Sequence, residues 1–455
     1  MSSSLLSFLS PSKIEEKLPA NVLPGSVKSG SIVSYRNRVR YIPTSGAQYS
    51  VPTGSKIVQW RITGGDYLDL STACIHFKFA VAGTTTPTGT LVQEGIFSLI
   101  QRVRVALNSV VVEDCDNAHV VAHTKVLNTM PRQVYESAQG QYLGLYKRAR
   151  SAKGVVPAYP PTLTGIIQTI SGYYNSGNGE SNGASFYIPL SLIASSMGMQ
   201  TFLPLRNVGS LELTIFLEDP ATCLYASGGV TAGAYSINDV SLEVDAVQLN
   251  NVVVDMLDRL ANDVSETGGV VMPTSVCVTQ NINYAAAGGA SQRSVSISRG
   301  TTALTSLCLA KRLQSQIGTS ANQSLSSFQP FTQTRSQIRL GSRLYPTTAT
   351  DSLARAFTET AHAYGNLNNQ FAGGLVTRVD YETNDNDQGA FTYAYNFRKV
   401  LTEELGMDGE NSIASGSIIQ YDLTDNPTGA AVITAVIESL RYVELKGAAV
   451  NVTGL

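Results

Sequence analysis

Phe97-Ser-Leu-Ile-Gln-Arg-Val-Arg-Val-Ala-Leu-Asn-Ser-Val-Val-Val112 and Phe331-Thr-Gln-Thr-Arg-Ser-Gln-Ile-Arg-Leu-Gly-Ser-Arg-Leu-Tyr-Pro346 share one shape, a strand, a turn and more strand. The offset between them is 234 residues. It carries Asn117, which reads as the cap of a following helix, onto Asp351, which reads as the cap of another. Both halves therefore run strand, turn, strand, helix in register. A second pair closes each half, at an offset of 196: Val244-Asp-Ala-Val-Gln-Leu-Asn-Asn-Val-Val-Val254 beside Leu440-Arg-Tyr-Val-Glu-Leu-Lys-Gly-Ala-Ala-Val450. Val244/Leu440, Val247/Val443, Leu249/Leu445 and Val254/Val450 are apolar in both. Two correspondences in the same order point to duplication of one β-domain, shorter in the middle of its second copy.

Outward from these stretches, short strand-like runs alternate with Gly, Ser, Thr and Asn clusters: Lys56–Ile62, Ala73–Val81, Phe186–Leu192, Ser210–Glu218 and Val240–Leu249. Helical patterns are few: Asp116–Asn128, Val252–Ala261 capped by Asn251, and Thr350–Tyr364 capped by Thr350 or Asp351. The 455 residues include 39 Gly and 17 Pro, are 43% hydrophobic and 15% charged, and carry a net charge of −2. That composition excludes bulk disorder, and it gives no bulk attraction to nucleic acid or anionic membrane. The expected class is all-β, with an N-terminal arm (1–45), a first domain (46–250), a helical connector (251–269) and a second domain (270–455).

The arm carries an apolar cluster at Leu5, Leu6, Phe8 and Leu9, then Pro11, Pro19 and Pro24, which forbid a long helix. Lys13, Lys17 and Lys28 stand against Glu15 and Glu16, so its charge nearly cancels. It ends in Arg36, Arg38 and Arg40, which alternate and would share one solvated strand face. The start has no basic region and only a short apolar run, so it does not read as a secretion signal, and no apolar stretch reaches 18 residues.

The chemistry-bearing residues do not assemble into a catalytic set. Cys74, Cys115, Cys223, Cys277 and Cys308 are scattered, without the close pairs of a disulfide framework or a zinc module, and read as buried thiols. His119 and His123 stand four apart on one helix, the zincin spacing, but lack the intervening Glu and a third ligand. Glu359-Thr-Ala-His362 has the spacing of di-iron bundles without a second copy, and His76 lies on an alternating strand. No nucleophile elbow, phosphate loop or dinucleotide fingerprint occurs. Asp380–Asp387 is an acidic loop that departs from a calcium loop after Asp385 and Asp387. Asn322-Gln-Ser324 and Asn451-Val-Thr453 fit the glycan acceptor pattern. Tyr142, Tyr146, Lys147, Arg148, Arg150 and Lys153 form a basic-aromatic patch too small to specify nucleic acid. No catalytic, cofactor-binding or metal site is expected, and the residues alone lead to a structural or binding protein.

Further stretches carry a resemblance. Tyr187-Ile-Pro-Leu-Ser-Leu192, Phe202-Leu-Pro-Leu205 and Leu211-Glu-Leu-Thr-Ile-Phe-Leu217 follow in order. Phe97–Val105 with Glu113-Asp114 reads as a strand and an acidic turn ahead of the first helix, and Ile338–Pro346 with the helix after it looks like the matching part of the second half. Over roughly residues 46–450 the chain resembles the double jelly-roll major capsid proteins of DNA viruses. The resemblance implies two tandem eight-stranded jelly-roll sandwiches and no enzyme. It implies a homotrimer of six similar barrels that tiles an icosahedral virion shell around the genome. Implied partners are neighbouring capsomers, penton and minor capsid proteins and, in members that have one, an internal membrane, with no specific nucleic-acid recognition. Loops near 158–185, 219–238, 314–330 and 366–392 would reach neighbouring subunits. The alternatives are a single-jelly-roll shell protein with a projecting domain, and a carbohydrate-binding β-sandwich.

Overall fold

Alternation sets the strands. In Leu211–Leu217 every second side chain is buried, and in Ile57–Ile62 Val58, Trp60 and Ile62 are. Successive side chains of a strand point to opposite faces, so each strand offers one apolar face to a facing sheet. The computed structural model describes residues 33–81, 90–91, 95–135, 137–145, 184–199, 201–225, 234–262, 269–286, 288–318, 327–366, 374–384, 389–399, 409–413, 416, 418–446 and 449–453.

The first half supplies β1 (Val33–Tyr41), β2 (Ile57–Ile62), β3 (Tyr67–Val81), β4 (Ile100–Leu107) and β5 (Val110–Asp116). Helix α1 (Ala118–Thr129) then precedes β6 (Ala184–Pro189), β7 (Leu211–Leu217) and β8 (Tyr235–Leu249). Helix α2 (Asn251–Asn262) leads to β9 (Val270–Tyr284), β10 (Ser291–Ile297), β11 (Leu304–Leu313), β12 (Arg335–Leu340) and β13 (Arg343–Thr350). Helix α3 (Leu353–Ala363), β14 (Thr392–Asn396), β15 (Ile419–Asp425), β16 (Ala431–Lys446) and β17 (Ala449–Thr453) complete the order.

The first half forms antiparallel sheets β1-β8-β3-β6 and β2-β7-β4-β5; the second forms β9-β16-β11-β14, extended by β17, and β10-β15-β12-β13. Counted within each half, both orders are 1-8-3-6 and 2-7-4-5, the strand exchange between two sheets that makes a jelly roll. One core gathers Trp60, Phe77, Phe79, Val103, Leu213 and Ile215; the other gathers Leu307, Leu309, Ile338, Tyr393, Tyr421 and Ile433. Fully burying each such aliphatic or Phe side chain is worth about 1.5–3 kcal/mol. Pro189, Pro273 and Pro346 lie on the edge strands β6, β9 and β13. A residue without an N–H disrupts least there.

The repeat holds at the level of elements. The offset of 234 takes β4, β5 and α1 onto β12, β13 and α3 to within a residue or two, and the offset of 196 takes Tyr235–Leu249 onto Ala431–Lys446. Several details differ from the sequence reading. Phe97 lies in a 3-10 turn, Gly95–Leu99, and Phe331 in a turn of left-handed backbone; each precedes the matching strand. Asn108 and Ser109 both take positive φ (47° and 67°), the two-residue turn whose twist suits a hairpin. Val254 lies in α2 whereas Val450 lies in β17, so the second equivalence ends at Leu249/Leu445. Val244 is buried but Leu440 only half-buried; near them β8 shifts register against β3 between Glu243 and Asp245. After Pro189 the chain turns into a helical segment, Leu190–Ile193, so the expected strand through Leu192 is cut short. Helix α3 is capped by Ser352, which accepts from Arg355 N–H, and α2 by Asn250, whose Oδ1 accepts from Val252 N–H. Val33–Tyr41, read as the end of an arm, is an edge strand of the first sandwich, paired with β8 from Val33↔Leu249 to Tyr41↔Leu242.

Candidate functional site: the junction of the two halves

Helix α1 joins the two sandwiches. Ala118, Ala122 and Val126 lie one turn apart on one stripe and belong to the first core. Val120, Val121 and Leu127 point the other way and pack with Cys277, Cys308, Ala310, Phe328, Ala394 and Val436 of the second half. All of those partners except Phe328 come from β9, β11, β14 and β16, so α1 covers the outer face of the second half's first sheet. Of the twelve residues of α1, all but Lys125 and Thr129 are buried.

Polar groups cross the same junction. The Glu113 carboxylate on β5 is fully buried. Its Oε1 accepts from Ser195 N–H at 3.1 Å and from Cys277 N–H at 2.7 Å; its Oε2 accepts from Ser196 N–H at 2.8 Å and Ser196 Oγ at 2.5 Å. Burial pushes this carboxyl's pKa up, and the Ser196 and Cys277 donors with Lys125 pull against it. Lys125 Nζ donates to Ser195 Oγ at 2.8 Å and stands 3.4 Å from Glu438 on β16. Burial works against the Lys125 charge, yet Glu438, Cys277 and Glu113 raise its pKa overall. Arg441 Nη1 donates to Val112 O at 2.8 Å, Asn128 Nδ2 to Thr392 Oγ1 at 3.3 Å, and Thr279 Oγ1 to Asp116 O. A buried carboxylate persists when its lone pairs are used, and here one of them is used by the other half of the chain.

The histidines do not converge. His119 Nδ1 stands 3.2 Å from Ile100 O, and burial, with Arg312 nearby, pushes its pKa down to about 3. His123 packs on the Phe328 ring at 5.3 Å. His76 Nε2 lies 3.2 Å from Cys74 Sγ and 3.5 Å from Glu243 on the outer face of β3, and His362 is exposed on α3. Among the described residues no group of three or more His, Cys, Asp or Glu could hold a metal ion. The five cysteines are free and buried. Burial raises the Cys223 thiol well above its ordinary pKa; hydrogen bonding to Cys115, with burial, does the same for Cys277.

The arginines of β1 are not simply solvated. Arg36 binds Asp245 and Asp69, each at 2.8 Å; Arg38 binds Glu243 at 3.0 Å; Arg40 binds Glu243 at 2.8 Å. Asp380 completes a capping box with Thr377 rather than a calcium loop. Asn451 and Thr453 lie on β17, paired with Glu444 and Tyr442. Outside the described residues lie Leu5, Leu6, Phe8, Leu9, Tyr146, Lys147, Arg148, Arg150, Lys153, Asn322, Asp385, Asp387 and most of the four loops expected to reach neighbours. Sequence reasoning missed Lys125 and Glu438 and took Glu113 for a turn residue. The one local signal was a carboxylate directly after the apolar run Val110–Val112.

No protein-family model matches the sequence, and comparison with curated proteins finds no match. Comparison of folds does. The Faustovirus major capsid protein superposes with a TM-score of 0.60 at 9% identity, over 95% of this chain and 94% of that one. The PBCV-1 virus capsid matches at 0.53 and 11% identity, over 92% and 97%, and a chain of the Sputnik virophage at 0.52 and 10%, over 93% and 89%. The chain is a double jelly-roll protein with the fold of viral major capsid proteins.

Proposed function

We propose that this chain is the major capsid protein of a DNA virus. It assembles as a homotrimer of six barrels that tiles an icosahedral shell around the genome, beside penton and minor capsid proteins. Its role is structural, not catalytic. The observation that carries the reading is the α1 junction. Two jelly rolls of identical strand order are fastened side by side through a buried helix and the Glu113 hydrogen bonds. A projecting domain on a single shell barrel would not need that arrangement. Mass photometry of the expressed full-length chain tests it, with hexagon-outlined trimers expected in negative stain. A folded chain that stays monomeric at every concentration refutes it.

A further inference from the structure

Two buried side chains of the second sandwich are charged where the first sandwich is apolar. The pairings Ile237↔Phe79 and Ile433↔Lys311, related by the offset of 196, place Lys311 of β11 on the position of Phe79. Counted from the matching hairpins Leu107↔Val110 and Leu340↔Arg343, Asp425 of β15 takes the position of Leu217 on β7. Phe79 and Leu217 belong to the first core; Lys311 and Asp425 are both 0% exposed. Burying two charges costs desolvation that their attraction does not always return, and an apolar pair often serves as well. The first half shows that this fold accepts an apolar pair there.

The pair sits in a setting suited to reaction. Lys311 Nζ stands 3.3 Å from Asp425 Oδ2, with the ring centroids of Phe331 and Phe391 at 5.5 and 4.9 Å. Burial pushes the amine's pKa down to about 8 against the pull of Asp425, which brings the neutral amine within reach. Nζ also donates to Pro330 O at 2.8 Å and to Gln333 Oε1. Tyr284 OH donates to the same Oδ2 at 2.8 Å. Among the described residues Asp425 Oδ1 accepts no hydrogen bond, and Arg293 Nε, 3.4 Å from it, makes none. A guanidinium held beside a carboxyl oxygen without a formed hydrogen bond is placed for negative charge that develops on that oxygen.

We infer that Lys311 and Asp425 condense to an intramolecular amide, without enzyme or cofactor, and so stitch β11 in one sheet to β15 in the facing sheet. One proton passes from the Lys311 ammonium to Oδ2, leaving a neutral amine and a neutral carboxyl. The Nζ lone pair forms a bond to Cγ, and the carbonyl π pair moves onto Oδ1, where Arg293 receives the charge. A second Nζ proton goes to the Oδ2 hydroxyl, the Cγ–Oδ2 bond breaks and Oδ2 leaves as water, while Oδ1 returns to a carbonyl. Ammonium and carboxylate become one secondary amide and one water; nothing is oxidised or reduced. Holding amine and carboxyl together supplies the proximity that this condensation lacks in solution. The product removes both charges: its N–H keeps Pro330 O or Gln333 Oε1, and its carbonyl faces Arg293, which retains Ala285 O and the Tyr284 ring. The bond joins positions 114 residues apart within one chain, so it holds whether or not chains assemble.

Mass spectrometry of the denatured full-length chain tests this and needs no variant. After overnight incubation of the folded protein, wild type should weigh one water less than its sequence requires. Its tryptic digest should contain a branched peptide joining the Lys311 segment to the Asp425 segment. Lys311→Met removes the amine and keeps an apolar side chain of similar length, so it should keep its full sequence mass. Arg293→Gln, followed through a time course of cell-free synthesis, should form the lighter species at least about tenfold more slowly than wild type. Wild type at full sequence mass after the incubation, or a loss of water that maps elsewhere in the chain, overturns the inference. A lighter Lys311→Met chain overturns it too, and equal rates for Arg293→Gln refute the part given to Arg293.

Discussion

Replacing Glu113 with alanine should loosen the junction between the halves by several kcal/mol. The carboxylate accepts four hydrogen bonds, three from backbone N–H groups of Ser195, Ser196 and Cys277. Ser196 Oγ can rotate to another acceptor, but the three N–H groups cannot. A buried donor left without a partner costs about 1–3 kcal/mol. Relief of the carboxylate's own desolvation, and any water entering the gap, offset part of that. A net loss of about 3 kcal/mol follows. Glu113→Gln should lose less, about 1–3 kcal/mol, because its amide oxygen keeps one pair of bonds while its NH2 faces the other. Ser196 Oγ can then accept from that NH2, leaving one N–H stranded. Thermal unfolding of the unassembled chain reads this, since each kcal/mol shifts the midpoint of a 150–250-residue domain by about 2–4 °C. Glu113→Ala should melt about 6–12 °C below wild type, with Glu113→Gln between them. An alanine variant that melts within 1 °C of wild type, or a glutamine variant that melts lowest, would refute the reasoning.

His119 makes stability depend on pH. Its folded pKa near 3 lies below the unfolded value of 6.5. Between those values the unfolded chain holds a proton that the folded chain refuses, so stability falls as pH falls, by about 2 kcal/mol between pH 7 and pH 5. Glu113, with its pKa raised, works in the opposite direction above its ordinary value, so the comparison is best made against His119→Asn, whose amide can still donate to Ile100 O. Chemical denaturation at pH 7 and pH 5 should show the smaller slope in the variant, and equal slopes would count against a neutral buried His119. Deleting residues 2–20 removes Leu5, Leu6, Phe8 and Leu9 and should leave folded trimers that assemble shells poorly in negative stain. Normal shells would show that those side chains tether nothing.

The sequence showed its repeat because the repeat is written locally. A hairpin needs its turn residues, a strand its alternation and a helix its stripe, all within about ten neighbouring positions. That is why Ile100–Thr129 and Arg335–Ala363 could be laid over each other by reading alone. Boundaries slipped where a single residue intervened, as at Pro189 or Ser352. The register shift at β8 was invisible because it is a property of two paired strands.

The junction was not legible. Glu113 meets Cys277 across 164 residues and Arg441 meets Val112 across 329; within the first half, Arg36 likewise meets Asp245 across 209. A charged side chain carries no local mark of whether water or a distant strand will receive it. Helices α1 and α3 make the point most directly. Their positions match and their inner stripes are alike, yet α1 is buried at all but Lys125 and Thr129 while α3 is buried only along one stripe. The amino-acid sequence by itself determined the two β-sandwiches and their order, because alternation and turns act between neighbours. Only the tertiary structure decided which sheet face α1 covers, because burial is set by residues the chain brings back from hundreds of positions away.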